Sequence, residues 1–110
     1  MKNDMIRFVS RLALMMLVLG TAQAAAENHH ISQKNRTFAP KELNVTAGDT
    51  IEFANDDDFI HQVHVDDKKF NFDSAESPPG NSVDIKFTTP GTYEVRCHIH
   101  PKMALKVTVH

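Results

Sequence analysis

The sequence contains a single cysteine, Cys97, among its 110 residues. A lone cysteine cannot form an intramolecular disulfide, so it is a spectator, an intermolecular cross-link, or a reactive or metal-binding thiol. The chain also lacks a basic stripe, because 12 Lys and Arg residues face 14 Asp and Glu residues and the formal net charge is −2. Without such a stripe, nucleic-acid binding is excluded as a function class.

No hydrophobic run in the sequence reaches the roughly 20 residues that a membrane-spanning helix needs. The apolar run at 12–19 instead follows a basic start and precedes small residues at 22–26, which is the pattern of a secretory signal peptide. We therefore expect a signal peptide at 1–26, cleaved near residues 24–26, and an exported, periplasmic single domain at 27–110. An uncleaved anchor is the alternative.

Without the signal peptide, nine Lys and Arg residues stand against 13 Asp and Glu residues, so the mature chain is mildly acidic. The most acidic stretch is Asp56-Asp57-Asp58. Such a short charged run is typical of a solvated loop, and a docking patch is the less favoured interpretation.

The sequence shows no helical periodicity, no internal repeat and no linker. Six segments instead alternate apolar and polar residues at period two, with Gly- and Pro-containing turns between them, which predicts half-buried strands of an all-β sandwich or barrel. A short helical turn within residues 67–76 is left as an alternative. The alternating positions are Leu43/Val45, Ile51/Phe53, His61/Val63/Val65, Val83/Ile85/Phe87, Tyr93/Val95/Cys97 and Leu105/Val107/Val109.

The phase of this alternation predicts the direction of three side chains that can bind a metal. Cys97, His61 and Met103 each share parity with the apolar residues of the neighbouring segment. Because successive side chains on a strand point to opposite faces, all three are expected to point toward the core at strand ends. His64 and His98 have the opposite parity and are expected to point away.

The segment from Cys97 to Met103, with the sequence Cys-His-Ile-His-Pro-Lys-Met, contains a thiol, two imidazoles and a thioether in seven residues. A thiolate, two neutral imidazoles and a weakly held thioether are the donors of a blue-copper electron-transfer site. The segment supplies the thiolate, an imidazole and the thioether of this set, and His61 is the natural donor of the remaining imidazole.

These residues, together with Phe38-Ala39-Pro40, the Val45–Asp49 turn and Pro90-Gly91-Thr92-Tyr93, resemble the cupredoxins. The short Cys-x2-His-x2-Met loop is most similar to that of amicyanin, with plastocyanin and pseudoazurin as longer-loop relatives. The resemblance implies a cupredoxin-like Greek-key β-sandwich of about seven to eight strands and one type 1 copper ion. It also implies the ligands His61, Cys97, His100 and Met103, with the ring edge of His100 facing a redox partner.

Three positions depart from the cupredoxin pattern. Gln62 replaces the Asn that commonly follows the first ligand His, which puts the hydrogen-bonded brace of the ligand loop in doubt. Ile99 replaces a Pro, and His98 directly follows Cys97. His98 opens an alternative, a tetrahedral zinc site with His61, Cys97 and His100.

Two further metal sites are left open. If His64 and His98 lie on adjacent strands, they would make a weak outer site. If cleavage follows Ala26, the new amino terminus with His29 in third position would chelate Cu(II).

The function expected from these residues is one-electron transfer between redox proteins, with a cytochrome c or a periplasmic oxidoreductase as partner and the chain as a monomer. A periplasmic copper carrier or scavenger is the alternative, favoured slightly by the surplus histidines. We expect no enzymatic activity, because about 85 residues of sandwich offer little substrate cleft.

Overall fold

The computed structural model describes residues 25–110, which form nine β-strands in two sheets. The predicted all-β class is confirmed, with nine strands rather than seven to eight, and residues 1–24 of the expected signal peptide lie outside the described part. None of the described residues belongs to a helix long and apolar enough to cross a membrane. The strands are β1 (Asn28–Lys34), β2 (Thr37–Ala39), β3 (Glu42–Val45), β4 (Thr50–Asn55), β5 (His64–Asp66), β6 (Asn71–Asp73), β7 (Ser82–Lys86), β8 (Gly91–Arg96) and β9 (Ala104–Val109).

Both sheets mix parallel and antiparallel pairs. The four-stranded sheet has the order β2-β1-β4-β7, and the five-stranded sheet has the order β3-β9-β8-β5-β6. The parallel pairs are β1 with β4 and β3 with β9, and the other pairs are antiparallel. Strands of both sheets contribute to one hydrophobic core, so the architecture is a β-sandwich.

Three strands were not among the alternating segments. In β1 the core-facing positions include the fully buried Gln33, which breaks the apolar alternation. Strands β2 and β6 have three residues each, too few for a period to be visible. Strand β6 also occupies the stretch in which a helical turn had stayed open.

The register of the five-stranded sheet brings three strand ends together. Arg96, the last residue of β8, pairs with Ala104, the first residue of β9, and with His64, the first residue of β5. Residues that follow β8 or precede β9 and β5 therefore meet at one end of the sandwich. Cys97 and Met103 directly flank these strands, and both are 1% exposed, as the parity predicted.

The core of β9 gives a test of the packing. Replacing the fully buried Leu105 by Ala is expected to lower the free energy of unfolding by about 2–5 kcal/mol, because it leaves a cavity in a filled interior. Lys106→Ala, at the exposed neighbouring position, is the matched control and is expected to change it by no more than about 0.5 kcal/mol. Urea denaturation of both variants measures the difference, and equal effects would contradict the assigned faces.

Candidate metal centre

Three different segments place the donor side chains at the same end of the sandwich. His61 precedes β5 and is held in an isolated antiparallel bridge to Ser77. The His61 amide donates to the Ser77 carbonyl oxygen at 3.0 Å, and the Ser77 amide donates to the His61 carbonyl oxygen at 2.7 Å. Cys97 follows β8 directly. His100 lies in the β8–β9 loop, where its carbonyl oxygen accepts a hydrogen bond from the Met103 amide at 3.0 Å.

The donor atoms of His61, Cys97 and His100 converge. Cys97 Sγ lies 4.0 Å from His61 Nδ1 and 3.9 Å from His100 Nδ1, and the three donor atoms lie within 4.8 Å of one another. An ion with bonds of about 2.0 Å to nitrogen and 2.3 Å to sulfur, at a trigonal angle, separates the two atoms by about 3.7 Å. The spacing therefore fits one metal ion, and the buried Met103 completes a type 1-like set.

The exposure of the donors differs. His61 is fully buried and Cys97 is 1% exposed, whereas His100 is partly exposed. Burial lowers the pKa of His100, and the nearby His61 and Arg36 lower it further, although Asp57 acts in the opposite direction. The His100 ring is therefore neutral at pH 7, the form in which imidazole binds a metal.

Gln62 connects the ligand loop to the neighbouring strands. Its backbone amide donates to Cys97 Sγ at 3.4 Å, which stabilises negative charge on the sulfur. Its side-chain oxygen accepts a hydrogen bond from the His98 amide at 3.2 Å. Its side-chain nitrogen donates to the carbonyl oxygens of Val63 at 3.0 Å and Ser74 at 3.2 Å. Gln62 thus makes the hydrogen bonds to the ligand loop that the replacement of Asn had put in doubt.

Asp57 lies behind His61, on the side away from Cys97. Its Oδ2 atom is 2.6 Å from His61 Nε2, and its side chain is 7% exposed. Burial alone would raise the pKa of Asp57, but the hydrogen bonds from His61 and from the amides of Asn35 and Arg36 outweigh it and lower the pKa. The interpretation of this acidic run as a solvated loop is therefore wrong for Asp57.

His98 does not join the donor cluster. Its side chain is 61% exposed, and its ring stacks on that of His64 with the centroids 3.6 Å apart and the planes 6° from parallel. The structure thus assembles His61, Cys97 and His100 without the fourth nitrogen of the alternative zinc site. The lone pairs of imidazole lie in the ring plane, so two stacked rings do not direct them at a common ion in this arrangement.

A second group of ligand types lies at the start of β1 and consists of Glu27, His29 and Asp49. Asp49 accepts hydrogen bonds from the Glu27 amide, the His29 ring and the Thr46 amide, each at 2.9 Å. These bonds, led by that of Glu27, lower the pKa of Asp49 to about 2. The Asp49 carboxylate thus stabilises the β3–β4 turn. His29 pairs with β4, so its backbone belongs to the sheet and is not arranged for the amino-terminal Cu(II) chelate.

Comparisons with known proteins agree with this architecture. The model of the cupredoxin-like domain family matches residues 8–109. The chain belongs to this family. Plastocyanin of the moss Physcomitrium patens is 30% identical over 86% of the chain, which spans 61% of that protein's length. Plastocyanin of Ulva arasakii is 32% identical over 66% of the chain and 83% of its own length.

Solved structures share the cupredoxin fold. An amicyanin variant in its Cu(I) form has a TM-score of 0.70 at 23% identity, covering 83% of this chain and 88% of that one. A Cu-containing nitrite reductase from Thermus scotoductus has a TM-score of 0.69 at 28% identity and covers 81% of this chain, which spans only 23% of that protein.

The Gln62 brace is expected to set the affinity of the site. Gln62→Ala removes the acceptor of the His98 amide and frees the ligand loop, so metal affinity is expected to fall by roughly 10- to 100-fold, as for other groups that orient ligands. Competition with a calibrated chelator measures this.

His98→Ala is the matched control, because it keeps the backbone amide that Gln62 binds while removing an exposed side chain. It is expected to retain the wild-type affinity. Equal losses in both variants would show that the brace acts through the histidine ring instead.

Proposed function

We propose that the chain binds one copper ion through His61, Cys97, His100 and Met103. The observation that carries this proposal is the convergence of two imidazole nitrogens at about 4 Å from one sulfur, with His61 and Cys97 buried and His100 partly exposed. This donor set, together with a thioether as a weak axial ligand, is the one that type 1 copper sites use. The plastocyanin and amicyanin relatives support the same assignment.

We further propose that the bound copper serves one-electron transfer, because it cycles between Cu(I) and Cu(II). The protein supplies a ligand set anchored at three strand ends, so that little rearrangement accompanies a change of charge. His61 is fully buried, whereas the partly exposed His100 provides the route to the surface. Electron transfer is thus expected through the edge of the His100 ring.

The surface around His100 has the features of a transient docking site. Ile60 and Ile99 are the exposed large hydrophobic residues of the described chain, at 40% and 43% exposure, and Ile99 and Pro101 flank His100 in sequence. Phe59 packs on the His100 ring at 5.2 Å between centroids. A redox protein such as a cytochrome c or a periplasmic oxidoreductase would dock here through a small interface, which suits rapid turnover by a monomer.

Export is part of the same proposal. Segment 1–26 is interpreted as a signal peptide that directs a single domain, 27–110, to the periplasm. An enzymatic role is not proposed, since the curated relatives that the chain matches are plastocyanins.

A copper carrier or scavenger is the second candidate. Surplus histidines favour it. Five of them lie outside the donor cluster within the described chain, namely His29, His30, His64, His98 and His110. The buried position of His61 and Cys97 favours the electron carrier instead, because a copper carrier must release its copper ion readily.

The ligand roles are tested by spectroscopy. Cys97→Ser is expected to abolish the intense visible thiolate-to-Cu(II) absorption, because this band requires a copper–sulfur bond. Met103→Leu is expected to keep the band and to change the reduction potential, as suits a weak axial ligand. Absorption and paramagnetic resonance spectra of the Cu(II) proteins measure both. Loss of copper from the Met103 variant would contradict an axial role.

Repeated redox cycling separates the two candidate functions. An electron carrier is expected to retain its copper through many rounds of reduction and oxidation in the presence of a Cu(I) chelator, and to exchange electrons rapidly with cytochrome c. Metal analysis after cycling and stopped-flow absorption measure these properties. Release of copper in the first reduced state would favour the carrier or scavenger.

A further inference from the structure

Asp57 and His61 form a buried pair on the side of the imidazole away from the donor cluster. Asp57 Oδ2 lies 2.6 Å from His61 Nε2, and the two side chains are 7% and 0% exposed. An ionised carboxylate accepts hydrogen bonds only, so the His61 ring donates this bond from a proton on Nε2. The lone pair of Nδ1 then points toward Cys97 Sγ, 4.0 Å away.

The carboxylate is itself fixed by the other sheet. The successive backbone amides of Asn35 and Arg36, in the β1–β2 turn, donate to its two oxygens at 2.7 and 3.2 Å. Both turn residues have positive φ, 54° and 56°, which directs their amides to the same side. Asn55 adds an anchor, since its side-chain oxygen accepts a hydrogen bond from the Asp57 amide at 3.0 Å.

Among residues 25–110, no Lys or Arg side chain forms an ion pair with Asp57, whose carboxylate contacts the His61 ring, and the guanidinium of Arg36 lies over the Phe59 ring at 5.1 Å. A buried carboxylate that is held by two amides and an imidazole, without a cationic side chain, acts over short distances with little screening. Its field therefore reaches the donor cluster on the other side of the imidazole.

We propose that Asp57 is a positioning residue for the copper ligand His61, holding the ring in its Nε2-protonated form and favouring Cu(II) over Cu(I) through its buried charge. This rests on the proposed function. A carboxylate that accepts the second N–H of a ligand imidazole fixes the orientation of the ring and raises its basicity. More basic ligands and a nearby negative charge both stabilise the more positive oxidation state.

Asp57→Asn removes the charge at nearly constant shape, and Asp58→Asn is the matched control, because it removes a neighbouring charge from an exposed position. For Asp57→Asn, the ratio of Cu(II) to Cu(I) affinity is expected to fall by about tenfold, which corresponds to a rise of about 59 mV in the reduction potential. Asp58→Asn is expected to leave the potential unchanged. Protein-film voltammetry and competition with chelators specific to each oxidation state measure the shift.

If Asp57 had only a structural role, Asp57→Asn would lower the affinities for Cu(II) and Cu(I) equally and leave their ratio unchanged. That result would overturn the proposal. Equal shifts in the two Asn variants would overturn it as well. Asp57→Glu retains the charge and is expected to restore the potential toward that of the wild type.

Nitrogen NMR of the histidine rings in the copper-free protein tests the positioning independently of copper. The wild-type chain is expected to show His61 protonated on Nε2, with slow exchange of that proton, and Asp57→Ala is expected to accelerate the exchange. A proton on Nδ1 in the wild type would overturn the proposal, even where the variants fail to fold. A chain that shows the Nε2 proton but binds no copper would instead refute the proposed function alone.

Discussion

The donor cluster exists because three chain segments end at the same edge of one sheet. The antiparallel pairing of β8 with β9 places Cys97 next to Met103 across a short loop, and the pairing of β5 with β8 brings the segment of His61 alongside. The hydrophobic core keeps these strands in register, and this register sets the distances between the donor atoms. A ligand set that is preorganised in this way changes little when the charge of the ion changes.

Two polar side chains support the donors from opposite directions. Gln62 acts from within the five-stranded sheet, where its amide group ties the start of the ligand loop to β5 and to the residues after β6. Asp57 acts from outside this sheet and connects His61 to the β1–β2 turn. Both sheets of the sandwich therefore contribute to the orientation of the metal ligands. The side chains of Gln62 and Asp57 are both hydrogen-bonded, as their removal from water requires.

The two imidazoles of the cluster have unequal surroundings. His61 is enclosed by protein and hydrogen-bonded to a carboxylate, whereas His100 packs on Phe59 and lies at the surface beside Ile99. This asymmetry fits the proposed electron transfer, in which His61 stays enclosed while the partly exposed His100 faces a partner. The stacked pair of His64 and His98 lies apart from both ligands.

Period-two alternation in the sequence was sufficient to predict the all-β class, the inward faces of six strands and the burial of His61, Cys97 and Met103. It succeeded because side-chain direction in a strand depends only on parity, which is a local property of the chain. The same rule correctly directed His64 and His98 away from the donor cluster. The choice of His100 over His98 as the donor from the Cys97–Met103 loop came instead from the resemblance to the cupredoxins.

The burial of Gln33 and the roles of Asp57 and Gln62 were decided by tertiary structure. A fully buried Gln in β1 and a buried Asp in an acidic run both resemble surface residues in sequence, because polarity alone does not reveal which side chains the folded chain covers. The partners of Asp57 include amides some 22 residues away and a ring four residues away, and only the folded chain brings them together. Local periodicity thus determines which side chains face inward, whereas the hydrogen bonds that orient a metal ligand depend on contacts between distant segments.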